Sequence, residues 1–391
     1  MSTLASRPGV ARRPSWWQRQ GDLIMRRPFS EWTFTHMNWL LPTEPVARGP
    51  ISRPLPEHPR PLAVTYDFEG RRLSLADLHQ RTFTTAFVVL HRGAIVHESY
   101  PGRFARRETR LQLFSLTKSV TSMLVGIALA EGAIGSLTDR VADYRPEFAG
   151  TAYESVTLAD LLAMSSGVGD LEQWDVAGTD IKRFEEACLG RGSVAEVLRS
   201  ARRTAAPGER FNYSTLDAQL IGWVLEAATG KSLAAYATEK LWSQIGADRD
   251  AYYWLTRARP RTAIGAGSFN ATARDVARLG LLMANDGAVD GRQIVPVEWV
   301  RRSRGSDLPQ LAVGQLGPSG YAHYGYANQW WTLGGGSFDA FTGVGVHGQY
   351  LFVDPAADVV IVKCSAWPTQ DDEPRDRETI AALRRVADHF A

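Results

Sequence analysis

Apolar residues cluster in four short stretches that predict two β-hairpins. These stretches are residues 84–91, 94–100, 349–353 and 359–364. The first two flank the tight turn Arg92-Gly93, and the last two flank the turn over residues 354–358. Runs of β-branched and aromatic residues on either side of turn residues are typical of antiparallel hairpins. Because the hairpins come from opposite halves of the chain, we expect them to join one antiparallel sheet.

Three other segments place apolar residues at helical spacing. Residues 115–130 are mostly apolar and precede Gly132, and residues 215–229 repeat an apolar position every fourth residue before Gly230. Residues 380–390 show the same spacing near the end of the chain. This period indicates α-helices, and a glycine after the last turn is typical of a helix end. We expect the first two helices to be buried and the third to cover the sheet.

These elements together predict an α+β fold, in which helices flank an antiparallel sheet and a mostly helical domain is inserted. We expect an N-terminal arm over residues 1–60 that wraps the surface, because Arg, Pro and Trp dominate there. The α/β domain would comprise residues 61–145 and 270–391, and the helical insertion residues 146–269. The active site is then expected between the two domains.

Composition and charge exclude several classes of function. With 391 residues and 44% hydrophobic content, the chain can bury a large core. Lys and Arg number 44 against 42 Asp and Glu, a net charge of +2 that is too balanced for binding nucleic acid or an anionic membrane. The sequence shows neither a secretory signal nor an apolar run of about 20 residues, so the cytoplasm is the expected location. Cys188 and Cys364 lie far apart, which predicts reduced thiols, no metal site and no cofactor.

Lysine is scarce in this chain, and one lysine stands three residues after a serine. The lysines are Lys118, Lys182, Lys231, Lys240 and Lys363. Ser115 and Lys118 begin a predicted helix, so one turn would bring both side chains onto one face. A lysine accepts a proton near neutral pH only if burial or nearby positive charge lowers its pKa. The pair predicts a serine nucleophile activated by lysine, although the same spacing also arises by chance.

Two later motifs could complete such a site. Tyr213 stands between a Pro-Gly turn and a predicted helix, where its phenol could relay a proton or simply pack the helix entrance. Residues 343–348 match the dinucleotide-binding pattern, but strand and turn residues follow where that pattern requires a helix. Glycines entering a strand instead permit a ligand to approach closely. One N–H of this strand could then join that of Ser115 in an oxyanion hole.

In this order the three motifs resemble those of the serine β-lactamase and penicillin-binding-protein superfamily, particularly its class C-like branch of esterases and D-aminopeptidases. Segments typical of the family spread over residues 80–365: they include 131–132, 139–141, 144–147, 156–162, 165–167, 272–275, 298–300 and 354–355. Residues 32–54, 329–331, 346–349 and 365–368 resemble the 6-aminohexanoate-dimer hydrolases, nylon-oligomer amidases with esterase-type relatives. This second resemblance spans nearly the whole chain.

The resemblance implies a β-lactamase-like fold and a specific division of roles. Ser115 would be the acylated nucleophile, and Lys118 and Tyr213 the acid/base pair. The main-chain N–H groups of Ser115 and Val346 would form the oxyanion hole. Two positions depart from the family: Gly343 replaces the Lys, His or Trp that usually begins the third motif, and Thr215 replaces the Asn of true β-lactamases. Efficient β-lactam hydrolysis is therefore not expected.

Five further residues are candidates for binding substrate. They are Trp174, Asp170, Trp331, Gly345 and His347. Trp174 lies in the segment where the dimer hydrolases have an aromatic lid residue. Each has a structural alternative: a wall or core role for Trp331, a solvated loop carboxylate for Asp170, and a structural hydrogen bond for His347.

The sequence as a whole favours a serine hydrolase that acts on amide or ester bonds of small linear substrates. The absence of a G-x-S-x-G motif disfavours an α/β-hydrolase triad. Acyl transfer to another acceptor, and a silent binding module that keeps the fold, are the alternatives. The expected partner is a small-molecule ester or amide, and a homodimer remains open.

Overall fold

The computed structural model describes residues 23–334 and 340–391. The first 22 residues of the predicted arm, with Trp16 and Trp17, lie outside this range. The helices, in chain order, are α1 (Ser30–Thr33), α2 (Met37–Leu40), α3 (Leu75–Arg81), α4 (Leu116–Ala130), α5 (Val141–Tyr144), α6 (Leu158–Leu162), α7 (Asp180–Cys188), α8 (Val194–Ser200), α9 (Thr215–Thr229), α10 (Leu233–Ala237), α11 (Ala273–Ala284), α12 (Val297–Arg304) and α13 (Glu373–Asp388).

The strands are short, with the longest in the two predicted hairpins. They are β1 (Thr43–Val46), β2 (Thr65–Phe68), β3 (Arg71–Ser74), β4 (Thr84–His91), β5 (Ala94–Ser99), β6 (Leu111–Gln112), β7 (Ala251–Trp254), β8 (Phe269–Ala271), β9 (Ala288–Val289), β10 (Arg292–Gln293), β11 (Gly325–Ala327), β12 (Trp330–Thr332), β13 (Phe341–Gly345), β14 (Gln349–Asp354) and β15 (Val359–Ser365).

The main sheet of the described residues is antiparallel and has the strand order β11-β12-β13-β14-β15-β4-β5. Both predicted hairpins, β4–β5 and β14–β15, are present, and they meet where Val362 pairs with Val88. Every residue of β4, β14 and β15 is buried, which matches their continuous apolar runs. The prediction of one sheet built from both ends of the chain is confirmed.

Helices cover both faces of this sheet because successive strand residues point to opposite sides. On one face Leu351 packs beneath Gly280 of α11, while on the other the Tyr350 hydroxyl donates to Asp376 of α13. Helix α4 lies on the same face as α11, against β13 and β14. The α+β architecture with helices on an antiparallel sheet is as predicted.

A second sheet, with the order β1-β7-β8-β6, was not predicted. Its strands have two to four residues each and come from distant parts of the chain, so no local hydrophobic period marks them. Strand β1 belongs to the arm, whose described part also forms α1 and α2. The side chain of Val46 is fully buried where β1 pairs with β7.

Helices α4 and α9 are the buried pair expected from the sequence. Residues 116–128 of α4 are all buried, and Gly132 follows the helix with φ +75°. In α9 the Ser214 hydroxyl accepts the N–H of Asp217 at the start, and Gly230 ends the helix in the left-handed region. Within the described ranges, no helix is both long enough and apolar enough to cross a bilayer.

Candidate active site

Ser115 sits at a strained turn that leads into helix α4. It occupies the N-cap position, yet its side chain makes no capping hydrogen bond and is free for other contacts. Phe114 before it has φ +47°, a conformation that is uncommon for a bulky residue. The Phe114 ring is held by Phe34, at 4.8 Å between ring centroids, and by His347, at 5.4 Å. Packing from the arm and from the turn after β13 therefore fixes the serine.

Lys118 lies one helical turn after Ser115, and the predicted pair is in contact. The Nζ atom of Lys118 lies 2.9 Å from Ser115 Oγ, 3.0 Å from the carbonyl oxygen of Ala266 and 3.4 Å from Thr215 Oγ1. Burial lowers the pKa of Lys118 to about 8. Ala266 and Thr215 supply acceptors for the two N–H groups of a neutral amine. The lone pair of the neutral amine is then available to accept the proton of Ser115, 2.9 Å away.

Tyr213 completes the cluster from the other side. Its phenol lies next to Ser115, and its ring lies 4.9 Å from Lys118 Nζ. Burial raises the pKa of Tyr213 well above its ordinary value, so the phenol keeps its proton across the neutral range. The ring stacks on Trp331 at 5.3 Å, and the Tyr213 N–H donates to Ser319 Oγ. The structure thus brings together the three side chains that the sequence singled out.

Ser115 and Val346, whose main-chain N–H groups are expected to form the oxyanion hole, both line one cavity. In the part of the chain that the structure describes, neither the N–H of Ser115 nor that of Val346 has a hydrogen-bond partner. Strand β13 comes close because of its glycines: a Cβ on Gly345 would overlap the carbonyl oxygen of Leu113, and one on Gly343 would lie 3.0 Å from Ser119 Oγ. The sequence suggested that these glycines leave room for a ligand. In the structure they allow β13 to pack closely against Leu113 and helix α4.

A cavity of about 230 Å³ opens at Ser115 and Tyr213. Trp174, Trp331, Gly345 and Val346, which the sequence singled out, lie on its wall. The other residues of the wall include Leu171, Glu172, Gln173, Ser319, Tyr321, Val344, Tyr350, Trp367, Gln370, Asp371 and Asp376. Aromatic rings and a few carboxylates therefore surround the candidate nucleophile.

Two of the candidate substrate-binding residues, Asp170 and His347, do not line this wall. Asp170 is exposed, and its N–H donates to Asp180 Oδ2 at 3.4 Å. His347 is buried, with Nδ1 2.9 Å from the carbonyl oxygen of Trp367. Burial lowers the pKa of His347 to about 4, so the imidazole is neutral. Its packing against Phe114 gives it a structural role at the turn before the serine.

Several acidic and aromatic residues of the wall were missed by the sequence analysis. Glu172 accepts the N–H of Thr215 through Oε1, and Asp371 accepts the hydroxyl of Tyr321. Glu172, Tyr321 and Asp371 lie in irregular segments between elements, so no periodic pattern identifies them. The one available signal was position: Glu172 lies two residues before Trp174, the residue chosen in that segment.

Comparison with known proteins shows the family to which the chain belongs. A family model described as Beta-lactamase matches residues 71–385, and the chain belongs to that family. The curated 6-aminohexanoate-dimer hydrolase of Paenarthrobacter ureafaciens is 30% identical over 360 residues, which cover 90% of this chain and 88% of that one.

Solved structures show the same fold. A Bacillus anthracis protein provisionally named a 6-aminohexanoate-dimer hydrolase superposes with a TM-score of 0.83 at 27% identity, over 94% of this chain and 95% of that one. The hydrolase EstCE1, described as having promiscuous acyltransferase activity, superposes with a TM-score of 0.63 at 17% identity, over 80% and 98% of the two chains. The β-lactamase-like fold predicted from the sequence is confirmed, and the protein is a serine hydrolase of this family.

Proposed function

We propose that the protein hydrolyses amide or ester bonds of small linear substrates through an acyl-enzyme at Ser115. The contact that carries the proposal is the 2.9 Å separation between Ser115 Oγ and the buried Nζ of Lys118, at the mouth of a cavity. A serine next to a base of lowered pKa is the arrangement that nucleophilic catalysis requires.

In the first step, Ser115 Oγ attacks the substrate carbonyl carbon while its proton moves to the neutral Lys118 amine. The N–H groups of Ser115 and Val346 stabilise the negative charge on the carbonyl oxygen. As the bond to the leaving group breaks, Tyr213 gives its phenolic proton to the departing nitrogen or oxygen and regains one from Lys118. Water then repeats the sequence on the ester of Ser115 and releases the acid.

The cavity supports small substrates. Its volume of about 230 Å³ and its aromatic wall suit a short, largely apolar acyl chain. The name of the Paenarthrobacter relative supports a linear amide as one such substrate. Thr215 lies at the position where the resemblance to β-lactamases requires an Asn, so we expect little turnover of β-lactams.

The decisive experiment compares wild type with Ser115→Ala on p-nitrophenyl butyrate, a linear amide dimer and nitrocefin. We expect turnover of the ester to fall at least about a thousandfold, because the variant lacks the hydroxyl that is proposed to carry the acyl chain. A fluorophosphonate probe should add its mass to Ser115 in the wild type alone.

Ser119→Ala is the matched control, since Ser119 is a buried serine of the same helix whose hydroxyl donates to the carbonyl oxygen of Gln329. This variant should keep its turnover. Retention of most activity by Ser115→Ala, or a wild type that gains no adduct, would contradict the proposal.

A further inference from the structure

Glu172 is a carboxylate at the cavity wall that the proposed mechanism does not use. Its Oε1 accepts the N–H of Thr215, the first residue of helix α9. Its Oε2 is buried and has no hydrogen-bond partner within the described ranges. A buried carboxylate with an unpaired oxygen is costly for the fold, so its retention next to a candidate nucleophile calls for a functional reason.

Thr215 connects this carboxylate to the candidate base. Its hydroxyl oxygen lies 3.4 Å from Lys118 Nζ, and the same threonine holds Glu172 through its N–H. Burial has the larger effect on both groups: it lowers the pKa of Lys118 and raises the pKa of Glu172. The attraction between their opposite charges works in the other direction and favours the ionised form of each. Because the site is buried, water and salt screen this attraction weakly.

Among the groups around Lys118, Glu172 is the one whose charge changes the pKa of the lysine. Ser115 and Tyr213 are neutral at the pH of interest, and Ala266 and Thr215 contribute only dipoles. Asp371 lies on the same wall, and its charge raises the pKa values of Glu172 and Tyr213. The pKa of Lys118 responds to the charge of Glu172.

We propose that Glu172 is a positioning residue that, through Thr215, sets how readily Lys118 gives up its proton and so the pH at which Ser115 becomes active. This inference rests on the proposed function of Ser115 and Lys118. Glu172 contacts neither the substrate carbonyl nor Ser115 in this role. It stabilises the ammonium that Lys118 becomes when it takes the proton of Ser115, and no atom of Glu172 is transferred.

The test is the pH profile of kcat/KM for p-nitrophenyl butyrate in Glu172→Gln. The amide keeps the shape of the side chain and removes its charge. A nearby negative charge raises the pKa of a lysine, and the reaction needs that lysine neutral. Glu172→Gln should therefore move the acidic limb to lower pH, by at least about half a pH unit. The plateau should fall, because the ammonium formed during attack loses its counter-charge.

Asp371→Asn is the matched control, since it removes a carboxylate from the same wall without a resolved effect on Lys118. The acidic limb of the kcat/KM profile of Asp371→Asn should stay at the pH of the wild type, even if the KM changes. Glu172→Asp keeps the charge and should leave the limb close to that of the wild type. A uniform loss of activity in Glu172→Gln, with its limb unmoved, would show a merely structural role and overturn the inference.

If Glu172→Gln does not fold, Thr215→Val provides the second variant. It removes the hydroxyl between the two charges and keeps the N–H, so the limb must again move. Failure of this inference is distinguishable from failure of the proposed function. Absence of a Ser115 adduct in the wild type refutes both, whereas a labelled, Ser115-dependent enzyme with an unmoved limb refutes the role of Glu172 alone.

Discussion

At the scale of the residue, two buried lysines show what turns a lysine into a candidate base. Lys363 in β15 is fully buried, burial lowers its pKa to about 7, and its Nζ lies 2.6 Å from Ser365 Oγ. By these measures it equals Lys118, yet neither Lys363 nor Ser365 lies on the wall of the cavity. Burial and a serine partner are therefore insufficient without access to substrate.

The pair of lysines provides a test of the candidate base. Because Lys118 must be neutral to accept a proton and its pKa is about 8, kcat/KM should rise with pH with a midpoint near that value. Lys118→Met should lower kcat/KM by about a hundredfold to ten-thousandfold. Lys363→Met should keep the limb of the wild type. Ester hydrolysis followed from about pH 6 to about pH 10 checks all three, and a limb near pH 8 that persists in Lys118→Met would contradict this assignment.

The sequence identified the candidate catalytic residues but only part of their surroundings. Ser115, Lys118 and Tyr213 could be named because two of them share a helix turn and the third precedes a strongly periodic helix. Glu172 and Asp371 could not, because their positions depend on how irregular segments fold against distant elements. His347 was open to either interpretation, and only its packing against Phe114 shows that it supports the turn.

At the scale of the element, the close contact between β13 and the segment before α4 places the candidate oxyanion hole. The last residues of β13 pair with β14, while β12 pairs only with Phe341 and Thr342. The other edge of β13 is therefore free to approach Leu113 and Ser115. A side chain at position 345 would prevent this approach, because its Cβ would overlap the carbonyl oxygen of Leu113.

Gly345→Ala tests this contact. The added Cβ would overlap the carbonyl oxygen of Leu113, so strand and turn must separate. We expect a loss of about 1–3 kcal/mol in the free energy of unfolding, together with a fall in kcat, because Val346 is displaced from Ser115. Gly305→Ala is the control, since a Cβ there meets no atom within 4 Å. Urea unfolding and ester turnover measure both effects, and a Gly345→Ala enzyme with wild-type kcat would rule out this positioning.

The elements that the sequence predicts are the long ones. The hairpins and helices α4, α9 and α13 carry periods that extend over many residues, and all were expected. Strands β1, β6, β7 and β8 are too short to carry a period, and the β1–β7 and β6–β8 pairings join segments more than a hundred residues apart. Such pairing depends on the tertiary fold alone.

At the scale of the whole molecule, a buried ion pair joins distant parts of the chain. Arg274 of α11 donates to both carboxylate oxygens of Glu98 in β5, at 2.8 and 2.6 Å, and also contacts Glu57 at 2.8 Å. The side chains of Arg274 and Glu98 are 8% and 10% exposed, so water cannot replace the lost partner if one is removed. The end of the arm, the first hairpin and the second half of the chain are therefore held at one point.

Arg274→Ala should therefore lower the free energy of unfolding by about 3 kcal/mol, because Glu98 is left buried with less compensation. Arg301→Ala offers a matched control: its pair with Glu298 is 62% and 72% exposed and should contribute less than about 1 kcal/mol. Equilibrium urea unfolding of both variants decides the point. Equal losses would mean that the pair does not hold these parts together.

The candidate nucleophile and part of the cavity wall belong to segments that differ in how well they tolerate substitution. Ser115 and Lys118 belong to a helix that is buried along nearly its whole length, whereas residues 171–174 form a partly exposed segment between helices α6 and α7. Mutations can accumulate in that segment without repacking the core. Members of a lineage that share this scaffold can thus diverge in preferred acyl chain and in working pH while their chemistry stays the same.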